Sequence, residues 1–297
     1  MKNMTKIALL LAGLAAGNSA QAQTRIVVPS GQDYTIGNIV SASGDNVTYQ
    51  WFRNNAVVAG ATSATYTIPA ISATGNSAVF QRAAYGLDCQ GGVAMSNMVT
   101  VYFCDLMVNG VCWARGNSTQ YGAIYGNPYE WGYYYQWNRP AVAYYRENPE
   151  QSFQGTFPSG DTATSWTNGY PCPDGWRLPT ERDFRNLIAT SQPVGGVWAT
   201  GGTKGIPSGV NGKFFGYNAA NCTISSMAGC IFLPSSGLRW RDGGWLTIEN
   251  TEARYWASTN YSTIFGYLLQ FSNTATSVSS YYKECGITVR CVQDVVQ

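Results

Sequence analysis

The ten residues at 171–180, PCPDGWRLPT, constrain the fold more than any other part of this chain. The proline, aspartate and glycine residues near its start are typical of a turn, which delivers a tryptophan and a leucine as apolar anchors. Thr180 then stands three residues before Asp183, a spacing that resembles a helix-capping box. The sequence therefore predicts one helix over about residues 180–190. Its apolar stripe consists of Phe184, Leu187 and Ile188.

The N-terminus has the pattern of a signal peptide over residues 1–22. Lys2 and Lys6 precede an apolar run of about ten residues, and Ala20-Gln21-Ala22 provides an A-x-A cleavage site. A run of that length is too short to cross a bilayer, and no later segment is long enough either. We therefore expect a secreted or cell-surface protein without a transmembrane segment.

Cysteine and histidine usage limits the chemistry. Eight cysteines in an exported chain indicate disulfides, and none has the C-x-x-C spacing of a zinc or redox site. The chain has no histidine, which excludes imidazole metal ligands and the Ser-His-Asp and Cys-His forms of catalysis. The net charge is +2 and the sequence has no run of Lys or Arg residues, so it does not indicate a basic patch that would bind nucleic acid.

Residues 23–104 predict a β-sandwich, because short apolar strands alternate with turn clusters. The predicted strands cover residues 25–28, 47–52, 65–68, 78–84 and 98–103. The stretch YQWFRNNAVVAGATSATYTIPA resembles a bacterial Ig-like domain. The resemblance implies that Trp51 is the core tryptophan, and Asn54-Asn55 is expected to form a hairpin turn.

Several sequence blocks lie in order over roughly residues 105–292: GVCWARGN (110–117), YYQWNRP (134–140), PCPDGWRLPT, FLPSSGLRW (232–240), RYWAST (254–259), YLLQF (267–271) and GITVRCV (286–292). Together these blocks resemble the FISUMP domain, the Fibrobacter major paralogous domain, so a domain of this family is expected over residues 105–297. The resemblance implies a C-type-lectin-like α+β fold, and the whole chain is expected to be mostly β with one clear helix and long loops. Residues 195–217 are rich in glycine and show no period, which predicts loops, and short strands are expected at 229–233, 254–258 and 267–271.

Within this domain we expect Cys172 to pair with Cys291, which ties the start of the helix to the last strand. We also expect two local disulfides, while Cys89 and Cys285 have no assigned partner. The local pairs are Cys104 with Cys112 and Cys222 with Cys230.

An enzyme is not expected, so no catalytic residue is assigned. Formylglycine-generating enzymes share the lectin-like fold, but they need a closely placed pair of reactive cysteines. Cys285 and Cys291 are the only C-terminal pair, and along one strand their side chains would lie about 20 Å apart.

Metal sites and cofactors are not expected either. Lectin-like folds often bind calcium through converging oxygens, but the sugar-site triplets Glu-Pro-Asn and Trp-Asn-Asp are absent. Asp242, Glu249, Asn250 and Glu252 offer only scattered oxygens, which are usually solvated. The dense aromatic residues at 121–145 are interpreted mainly as core.

The candidate binding surface lies in loops between residues 239 and 283, where aromatic rings, guanidinium groups and amides alternate with apolar strands. Arg254 and Tyr255 belong to this wider region, and Trp256 is expected in the core. We expect an unidentified protein or carbohydrate at a cell surface as the partner of an adhesin-like module. A structural surface or pilus-type subunit is the alternative, and ligand, assembly state and sequence diversification of the loops stay open. The candidate ligand-binding residues are Trp240, Arg241, Asp242, Trp245, Asn260, Tyr261, Tyr281 and Tyr282.

Overall fold

A computed structural model describes the parts of the chain on which the fold is based. The predicted signal peptide at 1–22, Cys89 and Asp242 lie outside these parts. The described residues form two compact units, a first unit up to Phe103 and a second unit from Cys104 onward. The described ranges are 24–29, 33–37, 47–69, 77–86, 93–104, 106–120, 122–144, 165–166, 171–173, 175–241 and 244–294.

The first unit consists of strands in two sheets. The larger sheet has the order β1-β8-β6-β3-β4, with β7 paired to β6, and the smaller one pairs β2 with β5. All five strands predicted for residues 23–104 are present. The strands are β1 (Thr24–Pro29), β2 (Tyr34–Ile36), β3 (Thr48–Arg53), β4 (Ala56–Val57), β5 (Tyr66–Ile68), β6 (Ser77–Tyr85), β7 (Val93–Met95) and β8 (Val99–Cys104).

Trp51 lies in the core of the first unit. Its side chain is fully buried, its ring lies 5.8 Å from that of Tyr66, and its indole Nε1 donates to Ser63 O at 2.9 Å. The β3–β4 hairpin turns at Asn54 and Asn55, whose φ angles are +48° and +63°. Positive φ at both central residues is typical of a type I′ turn, which confirms the hairpin turn that this dipeptide predicts.

The second unit contains thirteen described strands in five small sheets and one described helix. The sheets have the orders β21-β10-β9, β11-β12, β13-β14-β15, β16-β17 and β18-β19-β20. The described residues are therefore mostly β, as the sequence predicts. The elements are β9 (Met107–Val108), β10 (Val111–Trp113), β11 (Tyr134–Gln136), β12 (Arg139–Tyr144), α1 (Glu181–Thr190), β13 (Val197–Ala199), β14 (Gly212–Gly216), β15 (Cys230–Pro234), β16 (Leu238–Arg239), β17 (Leu246–Thr247), β18 (Glu252–Asn260), β19 (Phe265–Ser272), β20 (Thr276–Tyr282) and β21 (Val292–Asp294).

Helix α1 begins where the capping-box pattern predicts. Asp183 N donates to Thr180 Oγ1 at 3.1 Å, and Thr180 N donates to Asp183 Oδ2 at 2.7 Å. Phe184 and Leu187 are buried on the inner face of the helix. The predicted helix over about 180–190 is confirmed.

The prediction of long loops over residues 195–217 is wrong in part, because β13 and β14 lie there. Every residue of β14 is buried, including Lys213, whose Nζ donates to Thr276 Oγ1 at 2.7 Å. A strand buried on both faces shows no alternation between apolar and polar residues. The region 276–282 was likewise expected to be loop, yet it forms β20, so Tyr281 and Tyr282 lie on a strand.

Three disulfides are present in the described residues, and they are the three expected pairs. Cys172–Cys291 joins the turn before α1 to the residue before β21, across a sequence separation of 119, with Cα atoms 5.7 Å apart. The other two, Cys104–Cys112 and Cys222–Cys230, each close a separation of eight residues. Cys285 is buried and not disulfide-bonded, and burial raises its pKa to about 12.

Arg290 is the centre of a buried polar network. Its Nε donates to Asn117 Oδ1 at 2.7 Å, and its Nη1 donates to the backbone oxygens of Ala114 at 3.1 Å and Arg115 at 2.7 Å. Its Nη2 donates to Pro128 O at 3.3 Å. Burial lowers the pKa of this guanidinium to about 10. The network therefore fixes the irregular segment from 114 to 128 against residues just before β21.

The aromatic segment at 121–145 supplies core residues, as expected. Tyr134, Tyr135 and Trp137 are fully buried, and Trp131 is nearly so. Two indole hydrogen bonds connect this segment to β18: Trp137 Nε1 donates to Ala257 O at 3.0 Å, and Trp256 Nε1 donates to Tyr135 O at 2.7 Å. Trp256 is fully buried, which confirms its expected place in the core.

Candidate ligand-binding surface

Three of the four candidate residues between β16 and β17 lie in the described part of the chain, namely Trp240, Arg241 and Trp245. Trp240 N donates to Trp245 O at 2.8 Å, and Gly244 N donates to Trp240 O at 3.1 Å. The buried Arg239 donates from Nη1 to Gly244 O at 2.8 Å within the β16–β17 hairpin, and its backbone exchanges hydrogen bonds of 2.8 and 2.9 Å with Gly286, which anchors the hairpin to the segment before β21. Trp245, the residue before β17, is 61% exposed.

The rest of the surface is built on the antiparallel sheet β18-β19-β20. Its register places Phe265 opposite Tyr282 and Gly266 opposite Tyr281. A side chain at position 266 would collide with the indole of Trp137. Glycine there therefore lets the core tryptophan pack against the sheet beside Tyr281.

Six aromatic rings make a continuous series of contacts across this surface, and we call them the aromatic cluster. Successive centroids lie 6.2, 6.1, 4.7, 6.4 and 5.1 Å apart, the spacing of favourable aromatic pairs. The series starts on the β16–β17 hairpin and ends beside the β18–β19 turn. In order, the aromatic cluster consists of Trp240, Tyr281, Tyr282, Phe265, Tyr261 and Tyr267.

Two arginines stack on the aromatic cluster. The Arg241 guanidinium lies 4.3 Å from the Tyr282 centroid, and its Nη1 lies 3.6 Å from Glu284 Oε2. The Arg254 guanidinium lies 4.8 Å from the Tyr281 centroid. Cation–π contacts of this kind stabilise a partly desolvated ring. Burial also raises the pKa of the Tyr281 hydroxyl, against a smaller lowering by Arg254.

The structure brings five of the candidate residues together: Trp240, Arg241, Tyr261, Tyr281 and Tyr282 are linked through the aromatic cluster. Asn260 lies at the end of β18, with its Oδ1 buried and without a hydrogen-bond partner among the described residues.

Tyr255, part of the wider candidate region, is not on this surface. Its side chain is fully buried, and its hydroxyl donates to Pro234 O at 2.8 Å. Burial raises the pKa of this phenol to about 12.

A polar pocket of about 200 Å³ lies on the same sheet. The register places Arg254 opposite Gln270 and Gln270 opposite Ser277, so one row of polar side chains crosses all three strands. Because Arg254 also stacks on Tyr281, the pocket adjoins the aromatic cluster. We call it the Arg254 pocket; it is lined by Glu252, Arg254, Gln270, Phe271, Ser272, Ala275 and Ser277.

The sequence analysis does not predict this pocket, although polar residues spaced two apart on each of two strands line it. Glu252 and Arg254 are two residues apart on β18, and Gln270 and Ser272 are two apart on β19, which puts each pair on one face. Only the register of the sheet shows that the two pairs are neighbours.

Two of the four residues considered for calcium, Asn250 and Glu252, have other partners. Asn250 Oδ1 accepts from Asn211 N at 3.0 Å, and Glu252 Oε2 lies 3.3 Å from Arg254 Nη2. In the described part of the chain, no three Cys, Asp or Glu residues are grouped so that they could hold a metal ion.

No helix in the described ranges has the length and apolar character needed to span a bilayer. Comparisons with protein-family models and with curated proteins find no match to this chain.

Proposed function

We propose that this chain is a secreted or cell-surface binding protein that holds a protein or glycan ligand at the aromatic cluster and the adjoining Trp245. The supporting observation is the continuous contact of six rings with two stacked arginines at the edge of a rigid sheet. Aromatic and arginine side chains contribute most of the binding free energy at many interfaces. Tyrosine and tryptophan also offer large contact area at a low cost in conformational entropy.

The family assignment is part of this proposal. We infer a FISUMP domain with a C-type-lectin-like fold for the second unit, because the blocks that carry the resemblance contact one another. Arg290 of GITVRCV bonds Asn117 of GVCWARGN, Trp137 of YYQWNRP bonds Ala257 of RYWAST, and Arg177 of PCPDGWRLPT pairs with Val292. For the first unit, two sheets around the buried Trp51 support an Ig-like sandwich.

Export is supported by the three disulfides, since such bonds persist in oxidising compartments. The signal-peptide pattern at residues 1–22 supports the same conclusion.

The experiment is a glycan array and a pull-down from cell surfaces with the wild-type chain, followed by affinity measurements on the captured ligand. Trp245→Ala and Tyr261→Ala are expected to lose about 2 kcal/mol or more of binding free energy, because each removes an exposed ring. Both side chains are mostly exposed, at 61% and 55%, so the melting temperature is expected to stay nearly unchanged.

Tyr217→Ala is the matched control, because Tyr217 is 61% exposed but is not part of the aromatic cluster. Normal binding by both Trp245→Ala and Tyr261→Ala, equal loss in the control, or loss of binding in EDTA would contradict the proposal. Capture of no ligand together with ordered self-assembly would instead support a structural surface subunit.

A further inference from the structure

We infer that the Arg254 pocket is a carbohydrate subsite that takes one neutral monosaccharide unit of the ligand. The inference rests on the proposed function and deepens it, because it commits the ligand of this surface to a glycan.

The pocket presents both hydrogen-bond donors and acceptors on a rigid floor. Arg254 and Gln270 supply N–H groups, Glu252 supplies carboxylate oxygens, and Ser272 and Ser277 supply hydroxyls. Gln270 Nε2 donates to Ser277 Oγ at 3.1 Å, which holds the amide in position and leaves its oxygen as an acceptor. A sugar ring with several neighbouring hydroxyls, each both donor and acceptor, matches this mixed lining.

The charge of the lining favours a neutral ligand. Arg254 Nη2 lies 3.3 Å from Glu252 Oε2, so the one cation of the pocket already has a carboxylate neighbour. An anionic ligand would be attracted by the arginine and repelled by the glutamate at nearly the same distance. Hydroxyl groups bond to both without a net electrostatic cost.

Arg254 has unused hydrogen-bonding capacity. Its side chain is only 12% exposed, and Nε and Nη1 are buried without a hydrogen-bond partner among the described residues. Leaving such N–H groups unsatisfied costs about 1–3 kcal/mol each. A ligand hydroxyl that accepts a hydrogen bond from one of these groups therefore contributes more than it would at an exposed arginine.

Size and surroundings point to one sugar unit with a neighbour. The volume of about 200 Å³ is below the range of roughly 300–1,000 Å³ that is usual for drug-sized ligands. Tyr281, in contact with Arg254, lies between the pocket and the rest of the aromatic cluster. The C–H face of a second sugar unit fits against such a ring.

The test is saturation-transfer-difference NMR on the full chain with the methyl glycosides of glucose, galactose, mannose and N-acetylglucosamine. Glucuronic acid, N-acetylneuraminic acid, inorganic phosphate and inorganic sulfate are competitors. We expect saturation transfer to at least one neutral glycoside and no displacement by any of the four anionic competitors. The inference would be overturned if no neutral glycoside showed saturation transfer, or if the anions displaced a bound neutral glycoside.

The variants are Glu252→Gln, Arg254→Lys and Gln270→Ala, each expected to weaken the neutral glycoside about tenfold or more, since each removes hydrogen bonds to the ligand. Glu249→Gln is the matched control, because Glu249 precedes Glu252 by three residues and does not line the pocket. Gln270→Ala deletes no charge, so it keeps the test decisive if Arg254→Lys fails to fold. Unchanged affinity in Gln270→Ala and Glu252→Gln would refute the subsite.

The two proposals fail separately. If Tyr261→Ala abolishes binding of a captured ligand while the pocket variants bind normally, the aromatic cluster is the site and the sugar subsite is refuted. If the pocket variants alone lose the glycoside, the subsite stands and the role of the aromatic cluster is refuted.

Discussion

Replacing Arg290 with methionine is expected to destabilise the second unit by about 3–5 kcal/mol. Four acceptors receive hydrogen bonds from this one guanidinium, at 2.7 to 3.3 Å. Each hydrogen bond to a charged group contributes about 1.5–3 kcal/mol of stability. The four bonds together therefore offset the cost of burying the charge, which amounts to several kcal/mol. Methionine removes the buried charge as well as the bonds, but leaves one side-chain and three backbone oxygens without their donor.

Arg290→Lys is the informative partner variant. It retains the charge but replaces the planar fork with a single ammonium group, which cannot reach the same four acceptors. We therefore expect it to be destabilised as well, rather than to behave as a conservative substitution. For a unit of this size, the methionine variant should lower the melting temperature on the order of 10 °C.

Hydrogen exchange measured by mass spectrometry provides the assay, because it locates the effect along the chain. Peptides that cover 114–128 and the residues before β21 should lose protection, whereas peptides from β3 and β6 of the first unit serve as the internal control. Stability within about 1 kcal/mol of the wild type, or unchanged protection at 114–128, would refute the assigned role of Arg290.

Two further predictions concern the same unit. Replacing both cysteines of the Cys172–Cys291 pair with alanine should cost ~5 kcal/mol in the chain-entropy account, against ~2.5 kcal/mol for Cys222–Cys230, because the closed loops differ in length; equal urea-midpoint shifts would contradict this. Burial raises the pKa values of Cys285 and Tyr255 to about 12, so both keep protons that the unfolded chain loses above the ordinary pKa values of these groups, 9.0 and 10.0. The stability that these two groups contribute is fully present below those values and is lost as the pH rises through about 12. Arg290, whose pKa is lowered, changes the stability in the opposite direction. Cys285→Ala should flatten the fall in urea midpoint between about pH 9 and pH 12, and an unchanged slope would contradict the assignment.

The sequence predicts a local structure correctly where that structure depends only on neighbouring residues. The capping box of Thr180 and Asp183 needs only a spacing of three residues, and the turn at Asn54-Asn55 needs only a tolerance of positive φ. Neither feature depends on a distant part of the chain, so the sequence predicts each one at the residues where it is observed.

Two of the strands that the sequence did not predict, β14 and β20, have residue patterns that are set by distant partners. In β14, GKFFG is buried at every position, since other elements cover both faces. In β20, TSVSSYY has hardly any apolar residues, yet it pairs with β19 over seven residues. Neither strand shows apolar–polar alternation, which depends on one covered face and one solvated face.

The Arg254 pocket was hidden for a related reason. Arg254, Gln270 and Ser277 come from three strands, and no spacing in the sequence shows that they face one another. The lengths of the β18–β19 and β19–β20 turns fix the register, and a shift by one residue would move every one of these side chains to the opposite face. The aromatic residues could be identified from composition, but their grouping with this polar row could not.

Strand β18 connects the stabilising network to the binding surface through consecutive residues. Tyr255 points to the core side, where its hydroxyl lies within 3.4 Å of Asn117 Nδ2, next to Arg290. Arg254, one residue earlier, lies on the opposite face and lines the pocket. Tyr255 and Arg254 are joined by the backbone of β18, but their side chains contact different groups. Changes at Arg290, which is connected to Tyr255 through Asn117, are therefore expected to alter the fraction of folded molecules. Changes at Arg254 are expected to alter the ligand affinity of each folded molecule. Substitutions that alter the path of β18 itself are the ones that would disturb both at once.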